Sequence, residues 1–168
     1  MSRPAPSGVR VRTAEGPADR EACFAVRKEV FVAEQGVDEA IEYDTFDATD
    51  SDTVHVLAEG PDGPLGTGRL LHGPAAAGVT GGDPGTGSLG RLAVRRAARG
   101  LGVGVALVRG LERAAAGLGL RAVDLHAQTH ALGFYERLGY QAYGPEFEDA
   151  GIPHRAMRRE LEAPAPRL

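Results

Sequence analysis

The chain has 168 residues, 42% of them hydrophobic and 25% charged, and a net charge of −4. That length suits a single domain with a substantial core, the acidic balance argues against a nucleic-acid partner, and no apolar run reaches the ~20 residues of a membrane helix. Cys23 is the only cysteine, which excludes an internal disulfide and a cysteine-based metal site.

Met1–Gly8 is proline-rich and has no apolar signal core, so a cytoplasmic protein is expected, with one domain over 9–161 and tails at 1–8 and 162–168. Val9–Thr13 alternates as an edge strand. Pro17 and Asp19 open a helix. Phe24, Arg27, Lys28 and Phe31 recur at helical spacing and carry it to about Ala33, with Cys23 as a small buried residue on it. Glu34–Asp52 follows with eight carboxylates and no lysine or arginine; the next basic residue after Lys28 is Arg69. Two readings stay open for this stretch: a solvated loop, or a surface that draws in a cationic amine. It lacks the regular ligand alternation and central glycine of a calcium loop.

Thr53–Ala58 reads as a strand with Val54, Val56 and Ala58 on one face and His55 on the other. Pro61-Asp62-Gly63 turns it into a return strand, Pro64–Leu71. Arg69 shares a face there with Leu65, Thr67 and Leu71, so it must pair or line a cleft. Gly73–Gly87, rich in Gly, Ala, Thr and Pro, predicts a flexible hairpin connection. Leu89–Val94 is a strand. Val103–Gly117 predicts a helix that buries Val105, Leu107, Val108 and Leu111 and turns Arg109, Glu112 and Arg113 to water. Ala122–Ala127 is a strand, so the unit is βαβ and its two strands run parallel. A helix then carries Ala131, Phe134, Tyr135 and Leu138 on one face, with Gly139 as its cap. Glu146–Ala150 is acidic, and His154–Leu161 is a last strand.

After the βαβ strand, at the mouth of its helix, come Gly100, Gly102 and Gly104. A glycine-rich turn opening a helix bares backbone N–H groups at the positive end of the helix dipole, where phosphate oxygens bind. Arg99, and Arg96 beside it, can add charge to a diphosphate. A Walker loop is excluded, because Gly104 is followed by Val105 and Ala106 rather than Lys-Ser/Thr. A dinucleotide fingerprint stays open, though five residues separate its glycines from the strand.

Arg99, Gly102 and Gly104 also fit Arg/Gln-x-x-Gly-x-Gly/Ala, which resembles the diphosphate loop of the GNAT superfamily of acyl-CoA N-acyltransferases. The preceding Arg-Leu-Ala-Val is similar to that family's fourth strand. Gln128, Ala131 and Tyr135, ahead of Gly139-Tyr140, resemble its Asn-x-x-Ala-x-x-x-Tyr segment, with glutamine in place of asparagine. Val30–Gln35, Ala127-Gln128, Phe134-Tyr135 and Gly151–His154 are similar to the ElaA-like branch.

The resemblance implies an α/β fold of the GNAT type: a mixed, mostly antiparallel sheet with one splayed parallel strand pair, flanked by helices. It implies acetyl-CoA as co-substrate, with pantetheine paired to the backbone of Leu92, Ala93 and Val94. The diphosphate falls on Arg99, Gly100, Leu101, Gly102, Val103 and Gly104, and further cofactor contacts on Gln128, Phe134 and Tyr135. Acyl transfer to an amine needs a base, an oxyanion donor and a proton for the departing thiolate. By resemblance Tyr135 supplies that proton; a backbone N–H near Val94 is the donor. Glu34 is the candidate base, with His126 and His154 as open alternatives. Gln35, Arg69, His126 and His154 are candidate substrate contacts. No metal or membrane partner is expected, the acceptor is a small-molecule or peptide amine, and a homodimer is compatible with the edge strands. A non-catalytic acyl-CoA-binding domain is the alternative.

Overall fold

The computed structural model describes residues 8–48 and 51–162. The tails at 1–8 and 162–168 therefore lie almost wholly outside the described residues, as does Asp50 of the acidic stretch. Seven strands form one sheet in the order β1-β2-β3-β4-β5-β7-β6: β1 (Arg10–Thr13), β2 (Val54–Gly60), β3 (Gly63–Leu71), β4 (Thr86–Val94), β5 (Ala122–Gln128), β6 (Gln141–Asp149) and β7 (Ile152–Glu160). The sheet is mostly antiparallel, and β4 and β5, joined through a helix, are its one parallel pair. The chain divides into two compact units. The first runs to Leu71 and takes up Leu89–Leu111; the second comprises His72–Ser88 and the chain from Glu112 onward.

In the first unit, helix α1 (Gly16–Arg27) starts with Pro17 in its first turn, and the Asp19 carboxylate accepts the Glu15 N–H at 2.8 Å. The same carboxylate is hydrogen-bonded to Arg12, which holds it down at a pKa of about 2. The helix runs on to Glu34, one residue past the sequence boundary, but Lys28–Glu34 is wound as a π-helix. The Gln35 N–H reaches back five residues to the Val30 carbonyl at 3.2 Å. Such widened turns are frequent at functional sites. Cys23 is fully buried with its sulfur 3.7 Å from the Val56 carbonyl, and burial pushes its thiol pKa up, so it packs and does not react.

Helix α4 (Val103–Gly117) matches its sequence boundaries. Val103, Leu107, Val108 and Leu111 are buried, whereas Val105 is only half-buried. Gly66 and Gly68 on β3 let this helix approach. A Cβ on Gly66 would stand 2.8 Å from Leu107 Cδ1 and 2.9 Å from the Ala93 carbonyl oxygen, and one on Gly68 would stand 2.7 Å from Leu111 Cδ1. A side-chain methyl can yield, but the Ala93 carbonyl belongs to β4 and cannot. Gly66→Ala should therefore destabilise the protein by about 1–3 kcal/mol, read as a lowered urea midpoint at unchanged m-value.

Three sequence expectations need correction. Gly73–Gly87 is not a plain flexible connection: Gly73–Ala76 forms a 3₁₀ turn, Ala77–Thr80 the short helix α3, and Thr86-Gly87 already belongs to β4. Gln141–Asp149, left without structure by the sequence, is strand β6; it is exposed, and its register shifts between Tyr143 and Phe147, which hides the alternation. Glu112 does not face water. Its carboxylate is buried, accepts the Tyr140 hydroxyl at 2.8 Å and pairs with Arg159 at 3.0 Å.

Candidate active site

In the first unit, β4 ends at Val94 and a short 3₁₀ turn, Arg96–Ala98, leads into Arg99–Gly102 ahead of α4. Gly100 and Gly102 both lie in the left-handed region, at φ 80° and 81°, a conformation that costs any other residue about 1–2 kcal/mol. Two such glycines fold the loop so that it opens directly on the N-terminus of a 15-residue helix. The N–H groups of that first turn have no partner within the helix, and the dipole places positive potential there. Leu101, at the loop's tip, is among the most exposed large apolar side chains, at 58%.

Arg99 is turned differently from what the motif leads one to expect. Its Nε donates to the Val94 carbonyl at 3.0 Å, and its Nη2 lies 2.9 Å from the Glu34 carboxylate. Arg96 adds a second, longer contact to Glu34 at 3.6 Å. Thus the structure joins Glu34, the expected base, to the expected phosphate loop, as the anion that holds Arg99 against β4. Leu92 and Ala93 lie on opposite faces of the strand. Leu92 packs beside Leu111 near Gly68, and Ala93 packs with Val26, Val30 and Phe31 of the helix before it.

Arg91 immediately precedes Leu92 and has a positive φ of 51°, unusual for a non-glycine residue. Its guanidinium is anchored on the Glu42 carbonyl at 3.2 Å and lies 3.4 Å from the Glu42 carboxylate and 3.5 Å from that of Asp44. Those carboxylates belong to the acidic stretch, which is not a solvated loop. It folds as the short helix α2 (Glu39–Glu42) and a 3₁₀ turn (Thr45–Asp47) with an Asp44–Asp47 capping box. Arg27, fully buried, pairs with Glu42 at 2.9 Å and with Asp47 at 2.7 Å, its guanidinium lying over the rings of Phe24 and Tyr43. Arg69 pairs with Asp44 at 2.7 Å and with Asp47 at 2.9 Å. Three arginines thus neutralise Glu42, Asp44 and Asp47, leaving that much less charge to steer a cationic amine. Arg69, expected as a substrate contact, has both terminal nitrogens engaged in these ion pairs. Gln35 caps the π-turn through its backbone.

Burial pushes the Asp47 carboxyl up, but the hydrogen bonds and charge of Arg27, with the charge of Arg69, prevail and hold it well below the usual carboxylate range. Burial lowers His55 to about 4, against the opposing pull of Asp47 at 4.0 Å, so this imidazole is neutral at pH 7.

In the second unit, β5 ends at Gln128 and a 3₁₀ turn leads into helix α5 (Leu132–Arg137). Gln128 Oε1 lies 2.5 Å from His130 Nε2. Phe134 and Tyr135 meet edge to face at 5.0 Å, and Tyr135 meets Tyr140 likewise at 5.8 Å. Burial alone raises the Tyr135 phenol well above its ordinary value, so it remains protonated through neutral pH. His126 of β5 and His154 of β7 flank Phe147 of β6: His126 edge-on at 4.8 Å, His154 stacked at 5.9 Å. Burial lowers the His126 pKa. Phe147 was not found from sequence because its strand was not; Arg91 was missed because no spacing rule flags an arginine at positive φ. Among the described residues no cluster of His, Cys, Asp or Glu is arranged to hold a metal.

Residues 20–161 match the family described as Acetyltransferase (GNAT) domain. The uncharacterized N-acetyltransferase YjcF of Bacillus subtilis is 36% identical over 138 residues, which cover 82% of this chain and 89% of that one. Among solved structures, an acyl-CoA N-acyltransferase from Pseudomonas aeruginosa superposes with a TM-score of 0.72 at 32% identity, covering 90% of this chain and 97% of that one. Escherichia coli ElaA superposes at 0.76 with 26% identity, over 90% of this chain and 99% of its own. With the family match spanning both the glycine loop and the tyrosine helix, the chain belongs to the GNAT acetyltransferases.

Proposed function

We propose that this protein transfers an acetyl group from acetyl-CoA directly to a primary amine of a small molecule or peptide. The observation that carries the reading is the Gly100–Gly102 turn, left-handed at both glycines and opening on a 15-residue helix. It fits a diphosphate, because the backbone N–H groups at the helix mouth need an acceptor and no side chain on either glycine obstructs approach. The β4 backbone from Leu92 to Val94 pairs with the pantetheine arm in this reading, with Arg99 leaving Val94 as the arm arrives. Glu34 then serves as the tether that takes up the displaced guanidinium.

Tyr135 donates to the departing thiolate. A phenol raised by burial is a weaker acid than a free thiol, whose pKa is about 8.5. Transfer is therefore aided by the apolar surroundings that raise the sulfur's proton affinity as well. A ternary complex supplies most of the remaining rate by proximity.

Calorimetric titration with CoA, followed by assay of free-thiol release from acetyl-CoA over a panel of primary amines, tests the reading. Binding with turnover is expected. Binding without turnover on any amine would favour a sensing domain, and no binding would end the proposal. Gly102→Val should weaken CoA binding at least about 10-fold, since the side chain disfavours the left-handed turn and crowds the amides. An unchanged Kd would place the diphosphate elsewhere.

A further inference from the structure

We propose that His154 is the general base for the amine, with its Nε2 as the accepting atom. This rests on the acyl-transfer reading above. Gln128, His154 and Phe147 are direct partners across β5, β7 and β6 and so form one row on one face of the sheet. His126 lies two residues before Gln128 on the same face of β5. The His154 Nδ1 lies 2.6 Å from the Ile152 carbonyl. A carbonyl can only accept, so Nδ1 carries the hydrogen, and the neutral ring keeps its lone pair on Nε2. The ring is held in place by stacking on Phe147 and is only 9% exposed. Base, tautomer and orientation are thus fixed by two contacts from β6 and β7.

Two carboxylates that could otherwise serve are committed elsewhere. Glu34 is engaged by Arg99 and Arg96. Asp124 accepts from Tyr143 at 2.9 Å and pairs with Arg158 at 3.2 Å. The titratable group coupled to His154 is His126 on β5, and Asp149 on β6, two residues beyond Phe147, acts on His126. His130, beside Gln128, lies at the end of the same row.

The ammonium form of the amine gives one proton to His154 Nε2, which passes it to water. The neutral nitrogen attacks the thioester carbon, forming the C–N bond. When the C–S bond breaks, the sulfur takes the electron pair and gains a proton from Tyr135. The nitrogen loses its second proton to water, and water reprotonates Tyr135. One proton is released per acetyl group transferred.

The test has two arms on the whole 168-residue chain, the first with CoA bound. In the first, ¹⁵N chemical shifts of the wild-type imidazoles should show His154 protonated at Nδ1 near pH 8; a proton on Nε2 would overturn the proposal. In the second, kcat/KM is followed from pH 5 to 9 as thiol release from acetyl-CoA, with butylamine, benzylamine and spermidine as acceptors. If none is acetylated, the slow release with water as acceptor is followed instead, and kcat/KM there means that for acetyl-CoA. The wild type should lose activity toward the acidic end of that span, because the base must be unprotonated. His154→Gln should lower kcat/KM about 100-fold and abolish that acidic limb, with the CoA Kd unchanged. His126→Gln should retain the limb. An acidic limb that persists in His154→Gln, with kcat/KM within 3-fold of wild type, would overturn the assignment. If CoA does not bind the wild type at all, the acyl-transfer reading fails first, and this inference with it.

Discussion

Tyr135→Phe should lower kcat about 100-fold or more while changing the CoA dissociation constant less than about 2-fold. The substitution removes one hydroxyl and keeps the ring that packs against Phe134 and Tyr140, so fold and cofactor contacts survive. A residue used only for packing would show little change in either quantity. One used only for binding would raise KM and leave kcat alone. The pH dependence gives a second readout with a definite sign. An acid must be protonated to act, so its limb is a loss of activity as pH rises through its pKa. Burial holds the Tyr135 phenol well above the ordinary tyrosine value, and no basic limb from this group should therefore appear below about pH 10. A basic limb at pH 8–9 that vanishes in Tyr135→Phe would show instead that the phenol is far more acidic than its burial dictates.

The parts of the fold that were legible from sequence share one property: a single periodicity dominates them. Val103–Gly117 shows an uninterrupted 3.6-residue repeat, opens after a glycine turn and closes on Gly119, and its boundaries were recovered to the residue. β2, β3 and β5 alternate and are bounded by turn residues. What escaped either breaks its own periodicity or obeys long-range partners. β6 is a polar edge strand with Gly144 and Pro145 in its middle and a register shift, so it shows no clean alternation although it turns directly into β7. The π-winding of Lys28–Glu34 leaves no mark in an apolar pattern, since helix and π-turn bury similar residues. Glu112 looked solvent-facing because its helix position is judged by its own helix, whereas Tyr140 and Arg159, far along the chain, bury it. Of the candidate site, the glycine turn ahead of α4 and the buried helical position of Tyr135 were legible because spacing specifies both locally. The committed states of Glu34 and Arg69 were not, because their partners lie 65 and 25 residues away.

The acidic stretch matters most for stability, and through Arg91 for the shape of β4. Arg27 brings a full charge into the interior, and only Glu42 and Asp47 on one side and two aromatic faces on the other compensate it. Arg27→Met keeps much of the volume but leaves Glu42 and Asp47 buried without their main counter-charge. Breaking one side of such a pair costs about 3–5 kcal/mol, which for a chain of this size is a fall in Tm of roughly 10 °C. The loss should also reach β4, because Glu42 and Asp44 hold Arg91 at its positive φ directly ahead of Leu92, so the CoA affinity should weaken along with stability. Acid should mimic the variant. The folded-state pKa of Asp47 is depressed, so its contribution is complete above the unfolded carboxylate value near 4 and is lost as pH falls below it. Wild-type unfolding free energy should accordingly drop steeply between about pH 4 and pH 2, and Asp47→Asn should flatten that slope while lowering stability at pH 7. Equal pH slopes in Asp47→Asn and wild type would show that the stretch is held by its backbone turns rather than by its arginines.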